Sequence, residues 1–252
     1  MPDARGLDDP ARTELVRRRI REKPALRMLY EEAYGRYVEL LGRCPRQGVA
    51  LELGAGLGFA KAHARQLVTT DVLPYPGLDV VADAVALPFA SGRLRAILML
   101  NVFHHLPDAA AFLREAERCL APGGRVLIVD QHPGWISAPI LRHLHHEPFD
   151  VQARTWSCPT AGPLSGANGA LTWIVFRRDR RALAQVAPGL EVVSYRPHTP
   201  TRYWLAGGLQ RWSLLPKRAF GIATRIDRAL ARTAPQLASF VDVELVRTAG
   251  PR

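Results

Sequence analysis

The chain has 252 residues, 48% of them hydrophobic, and a formal net charge of +11. That length suits one domain with a sizeable core, and no uninterrupted run of 18 apolar residues offers a spanning helix. Three cysteines far apart in sequence (Cys44, Cys119, Cys158), none in a C-x-x-C pair, argue against a disulfide framework or a structural zinc site and predict a reducing, cytoplasmic setting. The N-terminus mixes Asp3, Arg5, Asp8 and Asp9 and shows no apolar signal core. Charge is uneven: residues 51–150 carry 8 basic and 10 acidic side chains, residues 151–252 carry 15 and 5. The basic C-terminal part suits an anionic acceptor, an anionic membrane surface or nucleic acid, against the plainer reading of solvated arginine-rich faces.

In chain order, residues 12–43 read as helical, with apolar positions at Leu26, Leu29, Tyr30, Ala33, Tyr37 and Leu40 near a 3.6 period. Pro24 fits a helix first turn, which makes Arg12 to Arg21 a separate basic helix. Val49-Ala50-Leu51 then runs into Glu52-Leu53-Gly54-Ala55-Gly56-Leu57-Gly58. A buried strand, a glycine-rich turn and a following helix make a nucleotide cradle, because glycine turns tightly and leaves room for a ligand. A second short strand, Leu67 to Thr70, ends at Asp71, whose carboxylate at a strand tip suits the two ribose hydroxyls. Next come Asp79 to Phe89, a third apolar strand Ala96 to Leu100, and Asn101-Val102-Phe103-His104-His105-Leu106. A helix over Ala109 to Leu120, a turn at Ala121 to Arg125 and a strand Val126 to Asp130 complete this half.

The E-x-G-x-G-x-G run from Glu52 resembles motif I of the class I S-adenosylmethionine (SAM) methyltransferases, in the broad type-11-like group. D-A-x-x-L-P-F from Asp83 and x-L-x-P-G-G followed by apolar residues around Pro122 are further marks of that family, in the family's order. The five ordered matches from Leu51 to Asp130 cover about a third of the chain. The resemblance implies a Rossmann-like α/β fold: a seven-stranded sheet, mostly parallel with the last strand antiparallel, and helices on both faces. It implies SAM as cofactor and S-adenosylhomocysteine as product, held by Glu52, Gly54, Ala55, Gly56, Gly58, Asp71, Val72, Asp83, Ala84 and Asn101. Asp83 would accept from the adenine amino group and the Ala84 backbone would donate to a ring nitrogen. Within a single domain over 1–252, residues 1–47 would form a helical cap from which Lys23, Tyr30 and Tyr34 reach the cofactor or acceptor, and 48–135 the cofactor core. One departure is Arg95, where many relatives carry an aspartate.

Residues 136–190 read as acceptor-side loops. Gln131-His132-Pro133-Gly134 sits where open α/β sheets place ligands. His143, His145, His146, Glu147 and Asp150 follow, without the H-E-x-x-H spacing of zinc hydrolases, so no metal is expected. Pro159, Gly162, Pro163, Gly166 and Asn168-Gly169 punctuate a loop, Ala170 to Phe176 begins a strand or helix, and Asn168 and Trp173 are candidates to line the acceptor pocket. Leu190 to Tyr195 and Phe240 to Arg247 read as the last, antiparallel strand pair. Between them, 197–237 is an insertion too long for a hairpin. Its residues Tyr203, Trp204, Trp212 and Leu214 alternate with basic ones, and Phe220, Ile222, Ala223, Ile226 and Leu230 form a stripe opposed by Arg225, Arg228 and Arg232. Such a stripe packs on its parent domain or lies on an anionic bilayer, which makes 202–232 a candidate peripheral membrane contact. Basic charge without a recognised module is weak support for nucleic acid.

The expected reaction is in-line transfer of the SAM methyl group to a small-molecule, sugar or lipid-linked acceptor. His104, His132 and His146 are the candidate bases. Asn101 is not followed by the P-P-Y of amino-methylating enzymes, which disfavours methylation of bases or glutamine. Two other readings stand beside this one. One is a non-catalytic SAM-binding regulatory or scaffold protein; the other is an NAD(P)-dependent oxidoreductase, whose glycine spacing fits less well.

Overall fold

A computed structural model describes residues 10–56, 58–158, 162 and 166–249. Leu57, Pro159 and Pro163, and residues 1–9 of the expected cap, lie outside the described residues. Two helices, α1 (Pro10–Glu22) and α2 (Pro24–Leu41), precede the sheet, with Pro24 at the first turn of α2. The strands are β1 (Val49–Leu53), β2 (Leu67–Asp71), β3 (Val80–Val81), β4 (Leu94–Leu100), β5 (Leu120–Gln131), β6 (Leu190–His198) and β7 (Phe240–Arg247). They form one sheet in the order β3-β2-β1-β4-β5-β7-β6. β7 runs antiparallel to both neighbours, and the other pairs are parallel. This is the expected seven-stranded Rossmann-like sheet.

Alternation along the strands decides which side chains meet which layer. Ala96, Leu98, Leu127 and Val129 face Tyr34, Tyr37, Leu40 and Leu41 of α2. Ile97, Met99, Val126 and Ile128 face the opposite layer, with Phe112, Leu113 and Ala116 of α3 (Ala109–Cys119), and Leu183. α4 (Ser137–His143), α5 (Leu171–Trp173) and α6 (Arg180–Val186) follow β5. The apolar segment after Ala170 thus forms helix, continuing through a π turn at Ile174–Arg178.

Three local expectations are corrected. No regular α-helix follows the glycine turn: among the described residues, the crossover 54–66 from β1 to β2 holds only a 3-10 turn, Phe59–Ala62. The turn Ala121 to Arg125 is a bulge inside β5, since Leu94 pairs with Leu120 but Ala96 pairs with Arg125. The stripe on α8 (Phe220–Thr233) is split: Phe220, Thr224 and Asp227 are buried, while Ile222 and Ile226 face solvent.

The insertion closes over α2. Ala25 packs with Ala206, Leu215 and Phe220 in a small core of their own. Arg202, in α7 (Arg202–Leu205), is buried and donates through Nε to Asp227 (3.1 Å) and through Nη1 to Glu32 (2.9 Å) and Thr224 (2.7 Å). Its charge ties α8 to α2. Lys23 is also committed here: its Nζ donates to the carbonyls of Gly208 (2.6 Å) and Gln210 (3.1 Å), and burial, with Arg19 nearby, lowers its pKa to about 8. It anchors the insertion rather than reaching into the cofactor region. Among the described residues, no helix is long and apolar enough to cross a membrane.

Candidate active site

The glycine turn sits at the C-terminal end of β1, clamped to its neighbours by backbone bonds. The Ala55 N–H donates to the Thr70 carbonyl (2.9 Å), and the Gly56 N–H donates to Asp71 Oδ2 (2.9 Å). Gly54, Gly56 and Gly58 have φ of 65°, 52° and 68°. At Gly54 glycine is required twice over, because a Cβ there would lie 2.3 Å from Cγ2 of Val102. The loop after β4 is therefore pressed directly onto the loop after β1. Asp71 Oδ1 accepts from the Leu73 N–H (3.2 Å). Burial raises its pKa, and the backbone N–H groups of Gly56, Leu73 and Val72 oppose the rise. A carboxylate offers about four acceptor sites, so Asp71 retains capacity for a ligand's hydroxyls. Val72 contributes backbone at the same tip. Asp83 lies exposed farther along that edge, its Oδ1 accepting from the Val85 N–H (3.0 Å), and Ala84 is half-buried against the main core.

Two acceptors near this turn lack protein partners. Glu52, on β1, is 4% exposed with its Oε2 unbonded, and the buried Oδ1 of Asn101 is likewise unbonded. Burial, reinforced by Asp71, lifts Glu52 to a pKa of about 8. Asn101 holds φ 55°, a left-handed conformation that asparagine tolerates, and its N–H donates to the Val129 carbonyl (2.8 Å). Buried polar atoms are rarely left unmatched. Two orphaned acceptors at the C-terminal ends of paired strands, beside an open glycine turn, fit a ligand with a cationic, hydrogen-donating head. The SAM amino-acid moiety is such a group, and Asp71 suits its ribose.

Next to Asn101 lies a cavity of about 40 Å³ at the ends of β4 and β5. Its walls include Leu29, Tyr30 and Ala33 of α2, Leu100, Val129, Tyr203 and Phe240. The Asn101 side chain hydrogen-bonds Tyr30, whose hydroxyl burial pushes up to about 12. Arg36 also lines the cavity, but its charge is matched by Asp242 (2.9 Å). Tyr34 instead stacks on His63, with ring centroids 5.2 Å apart, beneath α2. Asn168 is occupied in its own loop, accepting from Asp150 N (3.0 Å) and donating to the Asp150 carbonyl (2.9 Å), and neither it nor Trp173 lines the cavity.

The three candidate histidines separate. His104 is buried, with its Nδ1 2.5 Å from Asp130 Oδ1 and its Nε2 3.3 Å from Glu147 Oε2. Burial lowers its pKa, but Asp130 and Glu147 outweigh burial and hold it at about 10. His132 points elsewhere, with its Nδ1 2.9 Å from the Tyr195 hydroxyl; burial, with His198 and Arg177, drops it to about 4. His146 is exposed, its Nε2 3.6 Å from Glu147 Oε1. Asp130, Gln131 and the pairing of Glu147 with His105 escaped the sequence reading as parts of one cluster. Only the placement of Asp130 and Gln131 at a strand's C-terminal end hinted at them.

Residues 34–128 match the profile of a protein family described as a methyltransferase domain. Over these residues the chain is similar to that family. Among curated proteins, it is 36% identical over 67 residues to the chloroplastic tocopherol O-methyltransferase of Arabidopsis thaliana, a match covering 27% of this chain and 19% of that protein. It is 30% identical over 105 residues to the 2-phytyl-1,4-naphtoquinone methyltransferase of Synechococcus elongatus, covering 42% of this chain and 41% of that one. The chain thus spans less than half the length of these relatives. The fold matches geranyl diphosphate C-methyltransferase from Streptomyces coelicolor A3(2), solved with Mg2+, geranyl diphosphate and S-adenosylhomocysteine. There the TM-score is 0.54 at 15% identity, covering 88% of this chain and 82% of that one. A geranyl diphosphate methyltransferase in complex with SAM matches with TM-score 0.54 at 16% identity, over 98% and 93% of the two chains. The methyltransferase match stops at Leu127-Ile128, before the His132 loop, the Glu147 loop and the insertion.

Proposed function

We propose that this chain transfers the methyl group of SAM to a small molecule with an apolar body, and that the reacting group enters the cavity beside Asn101. The observation that carries this reading is the cavity itself. It opens at the C-terminal ends of β4 and β5, where an open α/β sheet presents its ligands, and its walls are mostly aliphatic and aromatic with a few polar groups (Arg36, Asn101, His198, Thr199), as small-molecule sites usually are. When bound, SAM supplies an activated methyl on a sulfonium. The chain's part is to align the acceptor and to exclude water. Tyr30 from α2 and Tyr203 from the insertion cover the cavity, so the insertion forms one wall of the acceptor site. Relatives named for tocopherol and for a phytyl-bearing naphthoquinone support an apolar acceptor over a sugar. The test is transfer of labelled methyl from SAM to a panel of phenols, quinols and prenylated acids, with sugars as the contrasting set. Turnover confined to sugars would overturn the apolar assignment.

A second observation supports how such an acceptor is reached. Trp212 (51% exposed), Leu214 (71%), Ile222 (64%) and Ile226 (53%) face solvent, flanking the small core of Leu215 and Phe220. Arg211, Lys217, Arg218, Arg225 and Arg228 are exposed around them. Apolar side chains ringed by arginine and lysine suit the interfacial layer of an anionic bilayer. We infer that this face rests on such a membrane and takes up a lipid-like acceptor there.

A further inference from the structure

His104 and His105 stand side by side after β4, and Glu147 reaches them from the loop after α4. One donor atom from each lies within 4.8 Å of the other two. The histidines are oriented alike. His104 Nδ1 faces Asp130 Oδ1 at 2.5 Å, and His105 Nδ1 faces the Gly166 carbonyl at 3.2 Å. Each ring therefore donates through Nδ1 and turns Nε2 toward the same carboxylate, at 3.3 Å from Oε2 for His104 and 3.5 Å from Oε1 for His105. Metal-binding histidines are typically held in this way, with the second nitrogen bonded to a carboxylate or a backbone carbonyl. The two histidine–carboxylate separations are of the right size, and the three donor atoms together span at most 4.8 Å. Ligands about 2.1 Å from a tetrahedral zinc-type ion lie about 3.4 Å from one another. A fourth group waits nearby: the Gln131 side chain is 3.4 Å from both His104 Nε2 and Glu147 Oε2 through its amide nitrogen, and its buried Oε1 has no protein partner.

We propose that His104, His105 and Glu147 bind one divalent transition-metal ion of the zinc, cobalt or nickel class. Two imidazoles and one carboxylate suit that class, whereas magnesium favours all-oxygen shells with retained water. With three protein ligands the ion keeps an open coordination position. His104 and His105 lie on the short turn that follows Asn101, which lines the proposed acceptor cavity. On the methyl-transfer reading, that open position holds an oxygen of the acceptor and eases its deprotonation. Metal binding itself does not depend on that reading.

The test is titration of the metal-stripped full chain with Co2+, followed by the visible absorption of tetrahedral cobalt and by thermal unfolding, then competition with Zn2+ and with Mg2+. One equivalent of cobalt should bind, raise the melting temperature and be displaced by zinc but not by a large excess of magnesium. Glu147→Gln and His105→Gln should each abolish the tetrahedral spectrum, Asp130→Asn should weaken binding about 10–100-fold, and His143→Ala should bind as wild type. No cobalt bound by the wild-type chain would overturn the proposal, and so would an unchanged spectrum in both Glu147→Gln and His105→Gln. If those variants misfold, the wild-type stoichiometry and the zinc-over-magnesium order still decide. Metal binding without methyl transfer would leave the site standing and remove its catalytic role; transfer without metal binding would do the reverse.

Discussion

Glu52→Gln separates a buried proton from the rest of the chain's titration. Glu52 lies on β1 at 4% exposure with one oxygen unbonded, and it holds its proton up to about pH 8, against an ordinary 4.5. Between those values the folded state binds a proton that the unfolded state has released. Stability must therefore fall as pH rises through this window, by about 1.4 kcal/mol per pH unit where the difference is complete. Summed from 4.5 to 8, the loss reaches about 5 kcal/mol at most, a large share of a domain's net stability. Glutamine cannot ionise, and its extra N–H group adds a cost that does not change with pH. Urea unfolding of both chains at pH 5 and pH 8.5 checks this. The variant should gain on the wild type by several kcal/mol between the two pH values, because all other titrations cancel in the difference. A difference independent of pH, or a wild type that gains on the variant as pH rises, would refute the reasoning.

Gly54→Ala should cost about 2–4 kcal/mol in urea unfolding, from the left-handed backbone and from overlap with Val102. Adding Val102→Ala should recover the steric part and leave about 1–2 kcal/mol; no recovery would place the strain elsewhere. Asp71→Ala should weaken S-adenosylhomocysteine binding about 10–100-fold in calorimetric titration, the worth of hydrogen bonds to a charged acceptor, and NAD should give no heat with either chain. Ile222→Ser with Ile226→Ser should reduce partition into phosphatidylserine-containing vesicles at least about tenfold, with S-adenosylhomocysteine binding unchanged. Equal partition of variant and wild type would sink the membrane reading.

The half of the chain from Val49 to Asp130 was legible because its signals are local. Glu52, Asp71 and Asn101 at or just past the C-terminal ends of β1, β2 and β4, and glycines at fixed offsets, state their roles within a few residues. The missing helix after Gly58 was legible in principle, because the short stretch before Leu67 leaves no room for one. The cluster around Glu147 was not, since His104 and Glu147 lie far apart in sequence and meet only through the packing of the loop after α4. On α8 the apolar period was real, but it did not say which face is buried: the ion pairs of Arg202 with Asp227 and Glu32 turn Thr224 and Asp227 inward and leave Ile222 and Ile226 outside. Strand β7 misled in a similar way. Its alternation of Val241, Val243 and Leu245 with Asp242 and Glu244 suggests one wet face, yet both acids are buried.

Those two acids set an order of events during synthesis. Asp242 meets Arg36 at 2.9 Å, and Glu244 meets Arg43 at 3.0 Å. The partners of Arg36, on α2, and of Arg43, just after it, thus leave the ribosome some 200 residues later. β7 also fills the gap between β5 and β6. A nascent chain carrying β1 to β5 can already pack α2 on β4 and β5, but Arg36 and Arg43 lack their carboxylate partners on β7, and the cavity has no Phe240 wall, until that strand arrives. A complete cavity is therefore deferred until β7 has been made, and a ribosome-stalled chain ending before residue 240 should present the glycine turn without the Phe240 wall and without the ion pairs of Arg36 and Arg43.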